Sequence, residues 1–359
     1  MKWGVCKLIN SFKKSPKFSY NLYTNSYRNH VSVSEKYYEE REVIIKTCGP
    51  LYKKWEAEKR FRTVPKEGLT FNVPYIDTGE GTVSDSKEKL PPLVLALHGA
   101  PGSWKDFSLV ADYLHNVGAR VVVPSFPNFS HYKPGIFRHS DEEKTHYLQD
   151  FLKAIAVHQV DLLICHSSSI YPGLILCLDE NGPNVKSLVM LNTGTYHLGM
   201  KYFKSMKMMV TATETPMGMK IMEICAPFIM KNIVKTPVKV ENFLDPLLSA
   251  TTMVHGNIPK AKEKFLQLVS RELPILYAFS EDDRLIGKKW SLELAYLLGA
   301  ADSDIFQYDK DCNLKQRGNE SSRLKVMSFE RGSHYVFWKH PDIINNAIAD
   351  FLFKDHLQK

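Results

Sequence analysis

Short apolar segments alternate with longer amphipathic segments along most of this chain. A short run without polar alternation is typical of a strand buried on both faces of a sheet. The amphipathic segments have helical spacing, and one of them begins with the capping-box pair Ser140 and Glu143. Strands that alternate with helices favour an α/β fold, a doubly wound and mostly parallel sheet with helices on both faces. The predicted strands are Leu93–Leu97, Arg120–Val123, Asp161–Cys165, Leu188–Leu191, Ile275–Phe279 and Leu324–Phe329.

One interval, 196–272, interrupts this alternation. It contains helical patterns and no clear strand, and it holds nine of the twelve methionines. An insertion of this length between two strands of a parallel sheet is most simply a helical cap over their carboxyl ends. We therefore expect a basic tail at 1–34, a helical N-terminal extension at 35–70, a core formed by 71–195 and 273–359, and a Met-rich cap at 196–272.

The net charge of +8 comes mainly from the tail. Residues 1–34 contain six of the 47 Lys and Arg residues and no Asp or Glu, so the rest of the chain carries only +2. This distribution argues against a nucleic-acid-binding body. A basic, hydroxyl-rich and acid-free tail is either a disordered extension or a mitochondrial transit peptide.

The six cysteines are scattered without metal-binding spacing, which favours reduced thiols in an intracellular protein. No segment reaches the ~20 apolar residues that a membrane-spanning helix needs, and no secretory signal precedes the body. We expect an intracellular protein, cytoplasmic or, if the tail is a transit peptide, mitochondrial. No residue cluster calls for a metal or an organic cofactor.

The segment Asp161–Ser169 ends a predicted buried strand in a serine-rich turn, with Ser167 between the small residues Cys165 and Ser169. A sharp turn between a strand and a helix can present a serine hydroxyl at the end of a sheet, and it requires small residues on either side. Cys165 and Ser169 are small, although each is larger than glycine. The alternative interpretation is an ordinary serine-rich turn.

Three further segments follow predicted strands. His98-Gly99-Ala100-Pro101 follows the first strand, an acidic segment that includes Glu281, Asp282 and Asp283 follows the fifth, and Gly332-Ser333-His334 follows the sixth. Each segment alone could be a simple turn or an acidic surface loop. Their positions at successive strand ends predict that they meet at one edge of the sheet.

Together these four segments resemble the motifs of the serine α/β-hydrolases over roughly residues 71–353. In that superfamily the nucleophile, the acid and the histidine follow in the order Ser, Asp, His. The resemblance implies that Ser167 is the nucleophile, His334 the base and Asp283 the acid. It also implies an oxyanion hole formed by the amides of Ala100 and Ser168, and a cap between the sixth and seventh strands of the fold.

The choice of Asp283 depends on register with the family pattern Gly-x-x-Asp-x-x-Ile, in which Ser280 replaces the glycine. Asp282 and Glu281 remain rivals for the acid. Together with Cys165 and Ser169, the substitution at Ser280 removes several customary glycines, which indicates a divergent branch.

A serine at the elbow implies an acyl-enzyme, and hence an ester, thioester or amide substrate, of which we expect a small-molecule ester or thioester. A Met-rich cap suits a variable apolar acyl group. Because lysines are interleaved with apolar residues in the cap, contact with an anionic membrane surface through the cap or the basic tail is a further expectation. The alternative is that the methionines fill the cap's own core and the lysines form its solvated face. The alternative function is a catalytically inactive binding or scaffolding protein that keeps the fold. The cap lysines are Lys201, Lys204, Lys207, Lys220, Lys231 and Lys235.

Overall fold

The fold is built on a twisted sheet of ten strands in the order β1-β2-β4-β3-β6-β8-β9-β12-β10-β11. Seven neighbouring strands, from β4 to β10, are parallel, while β1, β2 and β11 pair antiparallel at the edges. The expected doubly wound, mostly parallel sheet is confirmed. The computed structural model describes residues 38–61, 63–79, 90–129, 136–197, 200–229, 244–321 and 323–354.

The strands of this sheet include all six apolar segments. The two short strands β5 and β7 pair with each other outside it. The strands are β1 Glu39–Thr47, β2 Leu69–Asp77, β3 Leu93–Leu97, β4 Arg120–Pro124, β5 Gln159–Val160, β6 Leu162–His166, β7 Asn184–Val185, β8 Leu188–Leu191, β9 Ile275–Ser280, β10 Ile305–Tyr308, β11 Leu314–Gln316 and β12 Leu324–Phe329.

Helices cover both faces of the sheet and form a separate apolar core on each. On one face lie α1 Gly49–Ala57, α3 Asp141–Ala154, α4 Ile170–Leu178, α9 Ile258–Ser270 and α10 Lys288–Leu297. On the other face lie α2 Ser108–Asn116, α11 Val336–Lys339 and α12 Pro341–Lys354. Helix α3 begins with the predicted capping box, in which the Glu143 amide donates to Ser140 Oγ. Across the described ranges, no helix is long and apolar enough to cross a membrane.

The prediction of a helical extension at 35–70 is wrong for its first half. Strand β1 pairs antiparallel with β2 along its whole length, from Glu39 opposite Asp77 to Thr47 opposite Leu69. Only one face of β1 is covered, since Ile45 is buried while its neighbour Ile44 is exposed. This alternation is the period of a half-buried edge strand, which the many Glu, Lys and aromatic residues of the segment obscured. The helical part is α1, whose Pro lies in its first turn.

The described part of the insertion between β8 and β9 consists of helices and short connections, with no strand. It contains α5 Met200–Thr213, α6 Pro216–Phe228, α7 Leu244–Leu248, α8 Ala250–His255 and finally α9. The boundary at 272 needs correction, because α9 packs against α4 and buries Phe265 and Leu268 in the main core. The helices α5–α8, here called the inserted helices, form their own apolar cluster around Val210 and Leu248.

The polar segment 301–323 has the mixed acidic and basic composition of a surface loop, but it carries two strands. Strand β10 runs parallel to β12 and buries Ile305 and Phe306, and the exposed β11 pairs with it at the sheet edge. The polar residues of β11 are those of an exposed edge strand, which composition does not distinguish from a loop.

Candidate active site

The predicted site residues lie at the carboxyl edge of the parallel sheet. Ser167 follows β6, Asp283 lies three residues after β9, and His334 lies five residues after β12. In an open α/β sheet the carboxyl ends of the strands meet at one edge, so residues that are distant in the sequence come together there.

The three side chains form a continuous hydrogen-bonded series. His334 Nε2 lies 2.8 Å from Ser167 Oγ, and His334 Nδ1 lies 2.8 Å from Asp283 Oδ2. The Asp283 side chain is fully buried and that of His334 is mostly buried. The structure therefore brings together the serine, histidine and aspartate that the motifs select, in the geometry of a nucleophile, a base and an orienting acid.

Ser167 stands on a sharp turn between β6 and α4, with a backbone φ of 55° in the left-handed region. The Cα of Gly99 packs closely against it, since a Cβ at Gly99 would lie 2.8 Å from Ser167 Cβ. A left-handed non-glycine residue is strained, and it persists where its surroundings fix it. The turn and the Gly99 loop therefore hold each other in place.

Cys165 and Ser169, the two departures from the usual elbow sequence, are both accommodated. Cys165 Sγ points at Gly173 of α4, where a Cβ would lie 2.5 Å from the sulfur. Ser169 Oγ lies 2.8 Å from the carbonyl oxygens of Leu97 and His166, either of which can accept its proton. The sulfur thus occupies space that a glycine on the next helix provides, and the buried hydroxyl has acceptors.

The Asp283 carboxylate is held by donors on both oxygens. Oδ1 accepts from the amides of Leu285 at 2.8 Å and Ile286 at 3.1 Å. Burial acts to raise the pKa of Asp283, but the charge of His334 and the hydrogen bonds outweigh it, so the pKa lies below its usual value. The carboxylate therefore stays ionised and able to accept from the imidazole.

Asn192, which the motifs did not single out, completes the site. Its Nδ2 donates to Asp283 Oδ2 at 2.9 Å and to the Ser333 carbonyl at 3.2 Å, and its Oδ1 accepts from the Val336 amide. It directly follows β8, is almost fully buried and has a φ of 44°. The only sequence signal was its position at the end of the fourth apolar run.

Asp282 and Glu281, the rivals for the acid, have other contacts. Asp282 Oδ1 accepts from the amides of Gly332 at 2.9 Å and Ser333 at 2.8 Å, so it anchors the loop that carries His334. Glu281 accepts from Ser328 and pairs with Lys288. Asp283 is therefore the carboxylate bound to the imidazole, as the register argument predicts.

His98 orients the peptide that precedes Ala100. The Phe126 amide donates to His98 Nε2 at 2.8 Å, so Nδ1 carries the proton and donates to the Gly99 carbonyl at 2.7 Å. Burial lowers the pKa of His98 to about 3, which keeps this neutral tautomer. Since N–H and C=O point in opposite directions across a trans peptide, the Ala100 amide points away from His98.

The Ser168 amide lies in the first turn of the helix that follows Ser167. Residues Ser167–Ser169 form a 3₁₀ turn that continues into α4. Amides in the first turn of a helix have no partner within the helix and point out of its N-terminus. Ser168 thus has an amide available beside the Ser167 hydroxyl.

His166 supports the backbone of the histidine loop. Its Nε2–H donates to the His334 carbonyl at 2.9 Å, and its ring lies 4.9 Å from the His334 ring. Burial lowers the pKa of His166 to about 3, so it is neutral at physiological pH. A neutral histidine next to His334 supports its position without adding a positive charge beside it.

A polar pocket adjoins the Ala100 loop. It is a cavity of about 60 Å³ lined by Ala100, Phe126, Phe129 and Lys144, among others. The buried Lys144 Nζ donates to Thr252 of α8 at 3.2 Å and lies 4.9 Å from the centre of the Phe126 ring. Burial lowers the pKa of Lys144 to about 7. This side chain therefore connects the core to the inserted helices.

A doubly wound sheet with a serine elbow after β6 and an acid and a histidine after later strands is the architecture of an α/β-hydrolase. The chain belongs to the family described as "Alpha/beta hydrolase of unknown function (DUF1057)", whose model matches residues 58–353. A search of curated proteins finds no match.

Several solved structures share the fold at low identity. A thermophilic esterase from Thermogutta terrifontis is 13% identical with a TM-score of 0.56, covering 88% of this chain and 98% of that one. A haloalkane dehalogenase from Bradyrhizobium elkani is 12% identical with a TM-score of 0.56, covering 90% and 99%. A bromoperoxidase from Bacillus anthracis is 12% identical with a TM-score of 0.53, covering 87% and 99%. At this identity the likeness shows the fold alone.

We predict that Gly173→Ala destabilises the fold through Cys165. The new Cβ would overlap the sulfur, and overpacking of this kind costs about 1–3 kcal/mol in the free energy of unfolding. In a Cys165→Ala background the sulfur is gone, so the same substitution should cost little. Urea unfolding of the four proteins of this double-mutant cycle measures the coupling. An equal cost in both backgrounds would rule out the Cys165 contact as the cause.

We predict that His166→Gln flattens the pH dependence of stability below neutrality. With a folded pKa of about 3 and an ordinary unfolded pKa, His166 takes up a proton only on unfolding as the pH falls from about 6.5. His166 therefore lowers the free energy of unfolding by about 1.4 kcal/mol for each unit by which the pH falls in this range. Gln can keep the donor to the His334 carbonyl. Chemical denaturation from pH 6 to pH 4 (about the titration range) measures the slope, and equal slopes would contradict the prediction.

Proposed function

We propose that this protein is a serine hydrolase that cleaves a carboxylic ester or thioester through an acyl-enzyme. The observation that carries the proposal is the hydrogen-bonded series from Ser167 Oγ through His334 to the buried Asp283, at 2.8 Å for each contact. The serine excludes the alkyl-ester route of hydrolases that have an aspartate at the elbow. It favours attack on a carbonyl carbon.

In the acylation step, Ser167 Oγ attacks the carbonyl carbon while His334 Nε2 accepts the hydroxyl proton. The carbonyl π bond opens to an oxyanion. When the tetrahedral intermediate collapses, the bond to the leaving oxygen or sulfur breaks and His334 returns the proton to that atom. Asp283 holds Nδ1 and stabilises the imidazolium, which exists only while the proton is on Nε2.

In the deacylation step, water replaces the leaving group. His334 takes a proton from the water as its oxygen attacks the acyl carbon, and the second intermediate expels Ser167 Oγ, which regains the proton. The products are a carboxylic acid and the free serine. Each step starts from a neutral His334. The buried Asp283 carboxylate accepts the proton on Nδ1, so Nε2 is free to take the next proton.

The amides of Ala100 and Ser168 are the proposed oxyanion donors. His98 fixes the orientation of the Ala100 peptide through the Gly99 carbonyl, and the helix that begins at Ser167 orients the Ser168 amide. Fixed donors stabilise developing charge without reorganising, and removal of one such donor from a hydrolase typically costs about 10²–10³ in rate. Both donors here belong to the backbone, so side-chain substitutions at these two positions keep them.

An apolar acyl group fits the surroundings of the site. Ala100 and Phe129 pack with Met209, Met222 and Leu248 of the inserted helices in one apolar cluster. Methionine side chains are flexible and adapt to different shapes. We propose that the inserted helices act as a cap that selects the acyl group.

Labelling with a fluorophosphonate probe tests the proposal. The probe should phosphonylate Ser167 in the full-length protein, and peptide mapping should locate the adduct there. Ser167→Ala should abolish labelling because the attacking oxygen is lost. The matched control is Ser168→Ala, which removes a neighbouring hydroxyl but keeps the backbone amide, and it should label like the wild type. A folded protein that never labels, with esters also left intact, would instead indicate an inactive fold used for binding.

Substitutions of the two neighbouring aspartates should separate their roles. Asp283→Ala removes the acceptor on the imidazole and should slow phosphonylation of Ser167 by about 10²–10⁴-fold. Asp282→Ala removes only the acceptor of two loop amides, one of them on the exposed Ser333 and open to replacement by water. It should slow labelling by less than about tenfold. Rate constants from a probe time course measure both, and a reversed order would assign the acid to Asp282.

A further inference from the structure

Helix α6 carries a row of large apolar side chains on its outer surface. Met217, Ile221 and Ile224 are 72%, 50% and 79% exposed. Their spacing of four and three residues places them along one face of the helix. We call these three residues the outer stripe.

The opposite face of the same helix is already buried. Met222 and Ala226 lie in the apolar cluster of the inserted helices, and Met219 packs against it. On a helical wheel the buried residues lie roughly 140–200° from the outer stripe, at 100° per residue. The stripe therefore lies outside the apolar cluster that the described inserted helices form. Contiguous exposed apolar side chains of this kind mark a surface that contacts a partner.

Exposed lysines lie on the two helices α5 and α6. Lys204 and Lys207 are exposed on α5 with the exposed Met208 in the same turn, and Lys220 is exposed beside the stripe on α6. The described stretch 200–229 contains four lysines and two glutamates. Of these glutamates, Glu214 faces His255 at 3.4 Å and Glu223 is exposed on α6. The two helices therefore have a net positive charge.

We propose that the outer stripe and its lysines dock on an anionic lipid bilayer, with α6 lying in the plane of the membrane surface. An interfacial helix combines an apolar face with lysines that contact anionic headgroups. A second copy of this chain is a poorer occupant, because it would bring the same lysines into the interface. The stripe also lacks the Trp, Tyr and Arg side chains that dominate interfaces between proteins.

The inner face of α6 connects this surface to the site. Its buried residues share one apolar cluster with Ala100, whose amide is a proposed oxyanion donor. Because a helix is about 10 Å across, docking would hold the buried side of α6 about one helix diameter from the bilayer. The docking surface therefore implies, if the proposed hydrolase function holds, a substrate that partitions into membranes, such as an ester with a long acyl chain.

Vesicle flotation of the full-length protein tests the proposal. The protein should float with vesicles of phosphatidylcholine mixed with phosphatidylserine, bind vesicles of phosphatidylcholine alone more weakly, and be released by salt. Ile221→Glu/Ile224→Glu should weaken binding at least about tenfold by placing charges in the stripe. Lys204→Glu/Lys207→Glu should weaken binding to the anionic vesicles by a similar factor, and both of its side chains are exposed, so the fold is preserved.

Leu266→Glu is the matched control, since Leu266 is 45% exposed on α9 and lies outside the stripe. It should float like the wild type.

Binding that is unchanged in both double variants would overturn the proposal and assign any lipid contact to another part of the chain. A concentration-dependent dimer that the Ile221→Glu/Ile224→Glu variant loses, with no flotation of the wild type, would assign the stripe to a second copy. Fluorophosphonate labelling of the same variants keeps the two proposals separate. Loss of flotation with intact labelling supports the docking surface, whereas flotation that both double variants keep, with intact labelling, contradicts only the docking surface.

Discussion

The Asp283 carboxylate is the interaction on which the site depends. A charge removed from water has to be matched by donors, and Asp283 receives them from His334, Asn192 and the amides of Leu285 and Ile286. These donors come from the ends of β8, β9 and β12, so one buried group fixes the relative positions of three strand ends. The loop that carries His334 is fixed a second time by Asp282 and a third time by His166. The imidazole is thus restrained on several sides before any substrate arrives.

Six strands of the sheet and the three reactive side chains could be predicted from the sequence because each signal is local. A strand buried on both faces reads as an unbroken apolar run, and Ser167, Asp283 and His334 each stand just after one. Strand β1 was missed because only one of its faces is buried and charged residues fill the other. Asn192 was missed because its role depends on contacts with residues about 90 and 140 positions away, which no local pattern encodes.

Cys165 and Ser280, two of the three larger residues that stand where the family motifs have glycine, each lie against a glycine on the other side of the contact. Cys165 occupies space that Gly173 leaves on α4, and Ser280 lies against Gly332, where a Cβ would overlap its hydroxyl. Close approach between two backbone segments needs one missing side chain, and either partner can supply it. The elbow therefore keeps its geometry although its own residues are larger than is usual, and a motif search that demands glycine at fixed positions would pass over it.

Helix α9, the last helix of the insertion, belongs to the main core. Only the part of the insertion that precedes α9 is therefore separate from the body of the protein. Helix α9 is packed on α4, so the segment from Thr195 to Asn257 is attached to the body by two fixed ends. Such a segment can be lengthened, shortened or exchanged without disturbing the sheet, as long as both ends stay where they are. Replacing this one continuous stretch of about sixty residues would therefore leave the sheet and the strand ends of the site in place. Under the proposed function, chimaeras joined at these two points would carry a different acyl-binding surface on the same body.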